Sequence, residues 1–481
     1  VTPANAEVLV DGQPRKLDAS GELMLELSGD EPVEIEASAS EDYESLSRSF
    51  TLKQLRQQDG RIELTRSAHY YARIAHEYLQ AGDKARAVEQ YRQAIRLDGS
   101  YATPSAARLQ SHEAAVRKLA FGPGPQPWLL SASDDGTANA WRLFPGRSPA
   151  DPVALRGHEA GEPIECLDVG PEGRWVVTGS WDDKACLWDL SGDAPGAEPV
   201  LLEGHGEDLV AVAVVPARQL VVTASFDSTV RLWALNAESA DTRFVTLEAH
   251  TCEIERLVVT PDARWLVTFD ADGGVRRWDL AAADTAATAT VIPALPHRVK
   301  ASVATPDSQW LVTGGDDGSI AFTHLELKMP RSTLPPTGDD VESLALAPGG
   351  RYLAAGSAGG VIRVLESTGS APPPAPRDIL NQHVNPVVSL TFSPDGRWLL
   401  SGGWDKMVYL WDLDAKDPAG SPLRLAGHQG PVHAVIISDD GNWAASSDES
   451  GLILLWKLPE CLMIHEAAAG AAIPAVPRVD A

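Results

Sequence analysis

From about residue 104 the chain repeats itself every 42 to 47 residues, and that period restricts it to a ring, stack or array of small units. Trp141, Trp188, Trp233, Trp278, Trp411 and Trp456 mark six units at one shared position, and Thr323 and Leu365 fill that position in two more. Eight units follow one another, and a search for tryptophan alone misses the fifth and sixth. The grammar is clearest in the seventh. After His383 come an apolar run at 387–392, the turn Ser393-Pro394-Asp395-Gly396-Arg397, a run at 398–401, a tight turn at Trp404-Asp405-Lys406 and a run at 408–411. A fourth run precedes the next histidine, as in Pro422-Leu423-Arg424-Leu425-Ala426-Gly427-His428. Such runs between turn residues read as strands. A four-stranded sheet exposes its edges and both faces. Eight of them packed around an axis cover the faces and leave only short edges. The expected fold is mainly β, an eight-bladed β-propeller over 104–459.

This pattern resembles the WD-repeat family across roughly residues 104 to 458. Family blades carry a hydrogen-bonded tetrad of histidine, serine or threonine, aspartate and tryptophan. The resemblance places tetrads at His158, Thr178, Asp182 and Trp188; at His205, Thr223, Asp227 and Trp233; at His250, Thr268, Asp272 and Trp278; and at His383, Ser401, Asp405 and Trp411. The first blade fits with His112, Ser131, Asp135 and Trp141. Buried polar groups that satisfy one another avoid a desolvation cost of ~1–3 kcal/mol each. Seven of the twelve histidines, at 112, 158, 205, 250, 297, 383 and 428, stand at this recurrent position, which gives them a structural role. The fifth blade keeps His297, Thr313 and Asp317 but has Thr323 for tryptophan. The sixth has Gly359 and Leu365 and no such histidine, and the eighth has Ser450 at the aspartate position. These blades are expected to lack a complete tetrad and to be locally softer. In the family a strand from one terminus often completes the blade of the other. Residues 105–110 fit that role, with 461–464 as a rival and 460–481 otherwise an Ala/Pro-rich tail.

Two smaller regions precede the ring. Residues 1–66 show short alternating runs at 6–10, 23–27, 32–36, 49–52 and 61–64, which read as a small β domain. The opening from Val1 to Gly12, with Pro3 and Val8-Leu9-Val10-Asp11-Gly12, resembles the PEGA family, small sandwich-like domains of bacterial surface and signalling proteins. A strand usually precedes that proline, so the resemblance implies a chain that starts inside a domain of a longer protein. In 67–103, Tyr71, Ile74, Ala75 and Tyr78, then Ala87, Tyr91 and Ala94, fall at helical spacing on two segments separated by Gly82-Asp83. This hairpin looks like a single tetratricopeptide repeat, either a peptide groove or a helical spacer; stacked repeats need about three copies to bury their faces.

Chemistry is sparse. No G-x-S-x-G elbow, H-E-x-x-H helix, G-x-x-x-x-G-K loop or G-x-G-x-x-G occurs, so no enzyme and no cofactor is expected. Asp270-Ala271-Asp272-Gly273-Gly274 lacks the downstream ligands of a calcium loop and reads as turn chemistry. Cys166, Cys186, Cys252 and Cys461 have no C-x-x-C spacing, and the first two fall on non-adjacent strands of one blade, beyond disulfide reach. The formal charge of −27 repels nucleic-acid backbones and anionic membranes, and no apolar run approaches the ~20 residues of a membrane span. Protein partners are left as the expected ligands.

Trp181, Phe226 and Trp404 precede three tetrad aspartates in turns that, in this family, open on the top face. They are candidate anchors for a basic or neutral partner segment, or else rings packed on the neighbouring blade. Proline-rich stretches at 328–340 and 367–378 are candidate docking loops or plain outer connections. The function these features imply is a non-catalytic protein-interaction scaffold. The alternatives are the sensory end of a larger bacterial signalling enzyme such as a serine/threonine kinase, and a propeller hydrolase with ligands on its axis. The PEGA resemblance implies a site outside the cytoplasm; unpaired cysteines point inward.

Overall fold

The computed structural model describes residues 7–10, 13–15, 33–38 and 46–50 by their backbone, then 68–97 and 106–469, apart from 124–126, 144–150, 192–197, 236–243, 249, 294, 296–297, 327–330, 367–376 and 421. Two compact units result, one of Val1–Pro104 with Pro459–Ala481 and one of Ser105–Leu458.

In the first unit β1 (Glu7–Val10), β2 (Gln13–Arg15), β3 (Val33–Ser38) and β4 (Leu46–Phe50) form an antiparallel sheet in the order β2-β1-β3-β4. The strand at 13–15 was not legible in the alternation, and the run read at 49–52 lies earlier, at 46–50. The runs at 23–27 and 61–64 lie outside the described residues. Next come α1 (Ala68–Gln80) and α2 (Lys84–Leu97). Gly82, at φ +79°, makes the left-handed turn between them that L side chains disfavour. Asp83 then caps α2, its Oδ1 accepting the Arg86 N–H at 3.2 Å. Ala72, Ala75, Ala87, Tyr91, Ala94 and Ile95 are buried, so the small residues lie where the helices close on one another. The residues read above as a tail differ. Leu458–Ala469 form a helix, α3, that buries Cys461, Met463, Ile464 and Ala467. Its Glu460 carboxylate lies 3.3 Å from His76 of α1. Residues 470–481 lie outside the described set.

The second unit is a ring of eight four-stranded antiparallel sheets. In each blade the first strand faces the axis and the fourth lies outermost, with the second strand fully or almost fully buried. Apolar clusters bridge neighbouring blades. One joins Val177 and Leu187 of the second blade to Leu209 and Val221 of the third. The eighth sheet is completed by β5 (Ala107–Gln110), which pairs antiparallel with the strand Leu452–Lys457, Ile453 opposite Leu109. The N-terminal strand closes the ring, and the rival segment 461–464 is part of α3.

Polar rungs also link neighbouring inner strands. The Ser343 hydroxyl donates to the Val387 carbonyl at 2.7 Å, and the Val435 N–H donates to Ser389 Oγ at 2.9 Å. Between the second and third blades the rung is a carboxylate, Asp168, which accepts the Val214 N–H at 2.8 Å. Burial pushes that carboxyl up to about 6. A folded value above the unfolded one gives a contribution that is complete below about pH 4 and lost as pH rises through about 6. Asp168→Asn keeps the acceptor without the charge. It is expected to raise stability at pH 7 by about 1–3 kcal/mol and to flatten the dependence between about pH 4 and 6, as read from denaturant melts across that range.

Candidate functional site

The tetrads occupy one level of the ring, and their sequence logic is a proton-donor chain. In the second blade Trp188 Nε1 donates to Thr178 Oγ1 at 3.2 Å, that hydroxyl lies 2.8 Å from His158 Nε2, and His158 Nδ1 lies 3.0 Å from Asp182. The third blade repeats it through Trp233, Thr223, His205 and Asp227 at 2.9, 2.8 and 2.8 Å. The seventh does so through Trp411, Ser401, His383 and Asp405 at 2.8, 2.8 and 2.9 Å. In the first, His112 reaches Ser131 Oγ at 2.6 Å and Asp135 at 3.1 Å. Each aspartate also accepts a backbone N–H from the residue after its histidine, as Glu159 N–H does to Asp182 at 3.0 Å.

The fourth blade departs from the expectation. Thr268 holds His250 and Trp278 at 2.7 and 3.1 Å, but His250 Nδ1 turns to Asp270 at 2.7 Å and not to Asp272. Asp270 sits two residues after the threonine, at the end of the second strand, where other blades carry Ser133, Ser180 or Ser225. A carboxylate there is already buried beside the imidazole, and Asp272 is left exposed in the turn. The eighth blade makes the same exchange. His428 Nδ1 meets Asp448 at 2.8 Å and His428 Nε2 meets Ser446 Oγ, with Ser450 donating to Asp448 at 2.6 Å. The eighth blade therefore has its aspartate after all. Its indole is the group left over, since Trp456 Nε1 is buried with no partner among the described residues. The signal was in the sequence, an aspartate at the serine position of the second strand.

The fifth and sixth blades lack the chain in different ways. His297 lies outside the described residues, and the buried hydroxyls of Thr313 and Thr323 find no partner among those described. The sixth has gone apolar, with Ala355 and Leu365 buried at the hydroxyl and indole positions. Arg363 fills the space, its guanidinium donating to the Gly318 carbonyl of the fifth blade at 2.7 Å. Burial lowers its pKa.

Burial alone would raise the tetrad carboxyls, yet hydrogen bonds from the histidines, hydroxyls and backbone N–H groups outweigh it. They hold Asp135, Asp227 and Asp448 far below the usual carboxylate range, with Asp182 and Asp405 lowered too. For depressed carboxyls the stabilisation is present above about pH 4 and lost as pH falls through the folded values. The ring is expected to hold to about pH 4 and to melt cooperatively below about pH 3, a transition that near-UV circular dichroism of the tryptophans would follow.

Above this level the turn between second and third strands is pinned eight times by a backbone bond to the residue before the inner strand of its own blade. Trp181 N–H donates to Pro163 O, Phe226 N–H to Asp208 O and Trp404 N–H to Pro386 O, each at 3.0 Å. Trp181 and Trp404 are 44% and 47% exposed, whereas the tetrad indoles are buried to 0–1%. Phe226 is half-buried. Val384, 78% exposed, extends the apolar surface beside Trp404, its N–H held by Asp405 at 3.1 Å. The third residue after the second strand adopts positive φ in every blade. In five blades it is glycine, Gly136, Gly273, Gly318, Gly360 and Gly451. In the three blades with an aromatic turn it is Asp183, Ser228 or Lys406, at φ +64°, +66° and +68°. Three further non-glycine residues with positive φ, Gln219, Ala263 and Ser308, lie in turns between first and second strands. Beside Trp181 the carboxylates crowd. Burial and then Asp208, Asp182 and Asp227 push Asp183 upward.

On the axis Glu165 faces Lys118, Arg117 and Arg256, and burial raises its carboxyl. Among the described residues no three His, Cys, Asp or Glu side chains converge as a metal site, and no helix is long and apolar enough to cross a membrane. Cys166, Cys186, Cys252 and Cys461 are free thiols, raised by burial.

The chain is similar to known proteins over this ring. The family described as WD domain, G-beta repeat matches residues 104–142, 152–189, 198–234, 242–279, 295–322, 328–365, 375–412 and 420–457. The COMPASS component SWD1 of Saccharomyces cerevisiae is 40% identical over 72 residues, 15% of this chain and 17% of that protein. NET1-associated nuclear protein 1 of the same yeast is 39% identical over 87 residues, 18% of this chain and 9% of that protein. The chain thus spans under a fifth of these two relatives. Among solved structures, Sqt1 of Chaetomium thermophilum bound to the N-terminus of the ribosomal protein L10 has a TM-score of 0.61 at 22% identity, covering 74% of this chain and 100% of that one. The computationally designed Ika8 protein has a TM-score of 0.58 at 21% identity, covering 74% and 99%. With eight matched repeats coinciding with the eight sheets of the ring, the chain belongs to the WD domain, G-beta repeat family.

Proposed function

We propose that the propeller is a non-catalytic adaptor whose top face captures a basic, extended protein segment between the second, third and seventh blades. One observation carries the reading. The three turns bearing Trp181, Phe226 and Trp404 keep a non-glycine residue in the left-handed region, where the other five blades use glycine. Backbone strain of this kind costs about 1 kcal/mol per residue and gathers at binding surfaces. Aromatic anchors supply contact area at low entropic cost, and the carboxylates of Asp183 and Asp208 supply the charge that a lysine- or arginine-rich segment would neutralise. The Sqt1 structure, with the N-terminus of a ribosomal protein bound, is a precedent for a propeller holding a chain terminus.

Affinity capture from a lysate with the full chain, against Trp181→Ala/Trp404→Ala, tests the face. The variant is expected to lose the captured proteins while melting within about 0.5 kcal/mol of the parent, because both rings are exposed. Capture unchanged by the substitutions overturns this choice of face. Lys406→Gly is expected to raise stability by about 0.5–1 kcal/mol in denaturant melts by relieving the turn.

The same proposal keeps residues 1–66 as a PEGA-like sheet and 67–103 as a tetratricopeptide-like hairpin. Support is local, from the strand pattern and the small-residue contacts of α1 with α2. The relatives named above are fungal and lend nothing to a bacterial setting or to a kinase upstream. A location outside the cytoplasm goes with the PEGA resemblance, and fractionation of cells expressing the tagged chain would test it.

A further inference from the structure

Neighbouring blades meet through a small residue. The fifth position of the second strand is Ala132, Gly179, Ala224, Gly314, Gly356, Gly402 or Ser447 in seven blades, and it faces the inner strand of the blade that follows. A Cβ on Gly179 would stand 3.0 Å from Val212 Cγ1, one on Gly314 2.4 Å from Val341 Cγ1, and one on Gly402 2.6 Å from Val435 Cγ1. The fourth blade breaks this rule with Phe269, which is 2% exposed. The fifth blade breaks it in the opposite sense. The inner-strand position that holds Val212 in the third blade and Val435 in the eighth is leucine in the first, second, fourth, sixth and seventh, but Ser302 in the fifth. Two residues on, Ala304 stands where the first and seventh blades have Phe121 and Phe392.

Large and small have exchanged sides at this one contact. Phe269 shares an apolar cluster with Val299 and Leu311 of the fifth blade. The inner strands Ile254–Val259 and Val299–Ala304 approach each other over less of their length than any other neighbouring pair of inner strands. Phe269 holds the two backbones apart, and polar bonds cross the junction at its rims. Arg298 pairs with Glu255, the Asp262 N–H donates to Ser308 Oγ at 3.0 Å, and Arg264 pairs with Glu326 at 2.6 Å. Half-exposed ion pairs are weak and are screened by salt. The fifth blade also carries two buried hydroxyls, Thr313 and Thr323, with no partner among the described residues, and the sixth has apolar residues at its hydroxyl and indole positions.

We infer that the ring has a built-in seam between its fourth and fifth blades, and that the closed ring opens there first and not at the strand that closes it. Regions of low local packing density, tied by exposed polar links, open at lower free energy than the global transition. Hydrogen exchange read by mass spectrometry on the full chain tests this. Peptides covering 299–304 are expected to exchange at least ~10-fold faster than the equivalent inner strands of the second and seventh blades, and the gap is expected to widen as sodium chloride is raised. Phe269→Gly/Ser302→Leu restores the arrangement of the other blades and is expected to bring the fifth blade down to the rate of the second. The seam is refuted if 299–304 exchanges no faster than its equivalents, or if 452–457 and 107–110 open ahead of it. A folded double variant with an unchanged fifth blade refutes the size exchange as its cause. Should that variant not fold, the parent profile and its salt dependence decide the matter alone.

Discussion

Asp270→Ala is expected to lower unfolding stability by about 2–4 kcal/mol, while Asp272→Ala changes it by no more than about 0.5 kcal/mol. The two aspartates stand two residues apart in the same turn, and only their geometry separates them. Asp270 holds the Nδ1 of a fully buried imidazole at 2.7 Å and accepts the Gly274 N–H as well. Its removal leaves His250 with a buried, unpaired donor, which carries the full desolvation penalty. Burial already lowers the His250 pKa against the pull of Asp270. Without Asp270 the imidazole is held neutral still more firmly, so it resists the charging that acid demands. A folded value below the unfolded ~6.5 gives stability that is present above that pH and lost as pH falls through it. Urea melts of both variants at pH 7 and 5.5 read the size of the effect and its sign. Equal losses at both positions would restore Asp272 to the tetrad.

Replacing Ala107–Gln110 by glycine and serine is expected to cost on the order of 3–5 kcal/mol and to make the chain self-associate. Leu109, half-buried, packs against the cluster of Val116, Leu129 and Trp443, and its loss alone is worth about 1 kcal/mol. The ladder to Leu452–Leu455 adds about 0.5–1.5 kcal/mol for each bond lost. The edge of Leu452–Lys457 that this would uncover is apolar, a template for pairing with a second chain. Size-exclusion chromatography would show the association, and monomeric elution with an unchanged melt would show that β5 is dispensable.

Period and strand grammar made the ring legible because both are consequences of closure, repeated eight times. A tetrad written as fixed spacing was less secure. The blade needs a carboxylate near the imidazole and accepts it from either of two turn positions, as Asp270 and Asp448 show. Helix α3 was legible in principle, since Pro459 suits a helix start and Cys461, Ile464 and Ala467 follow at helical spacing. The weight of alanine and proline beyond it masked that signal. Exposure of Trp181 against burial of Trp188 could not be read from residue type, because it depends on which way a turn points.

Both chain connections of the ring leave through one blade. Ala107 lies opposite Leu455 and Gln110 opposite Leu452, so the chain enters at Ala107 and departs beyond Lys457 at the same end of one antiparallel ladder. Tension between the flanking segments therefore loads the bonds of that ladder one after another, as a zipper is drawn, and never all together in shear. A ring built of eight sheets would then yield to a pull one hydrogen bond at a time.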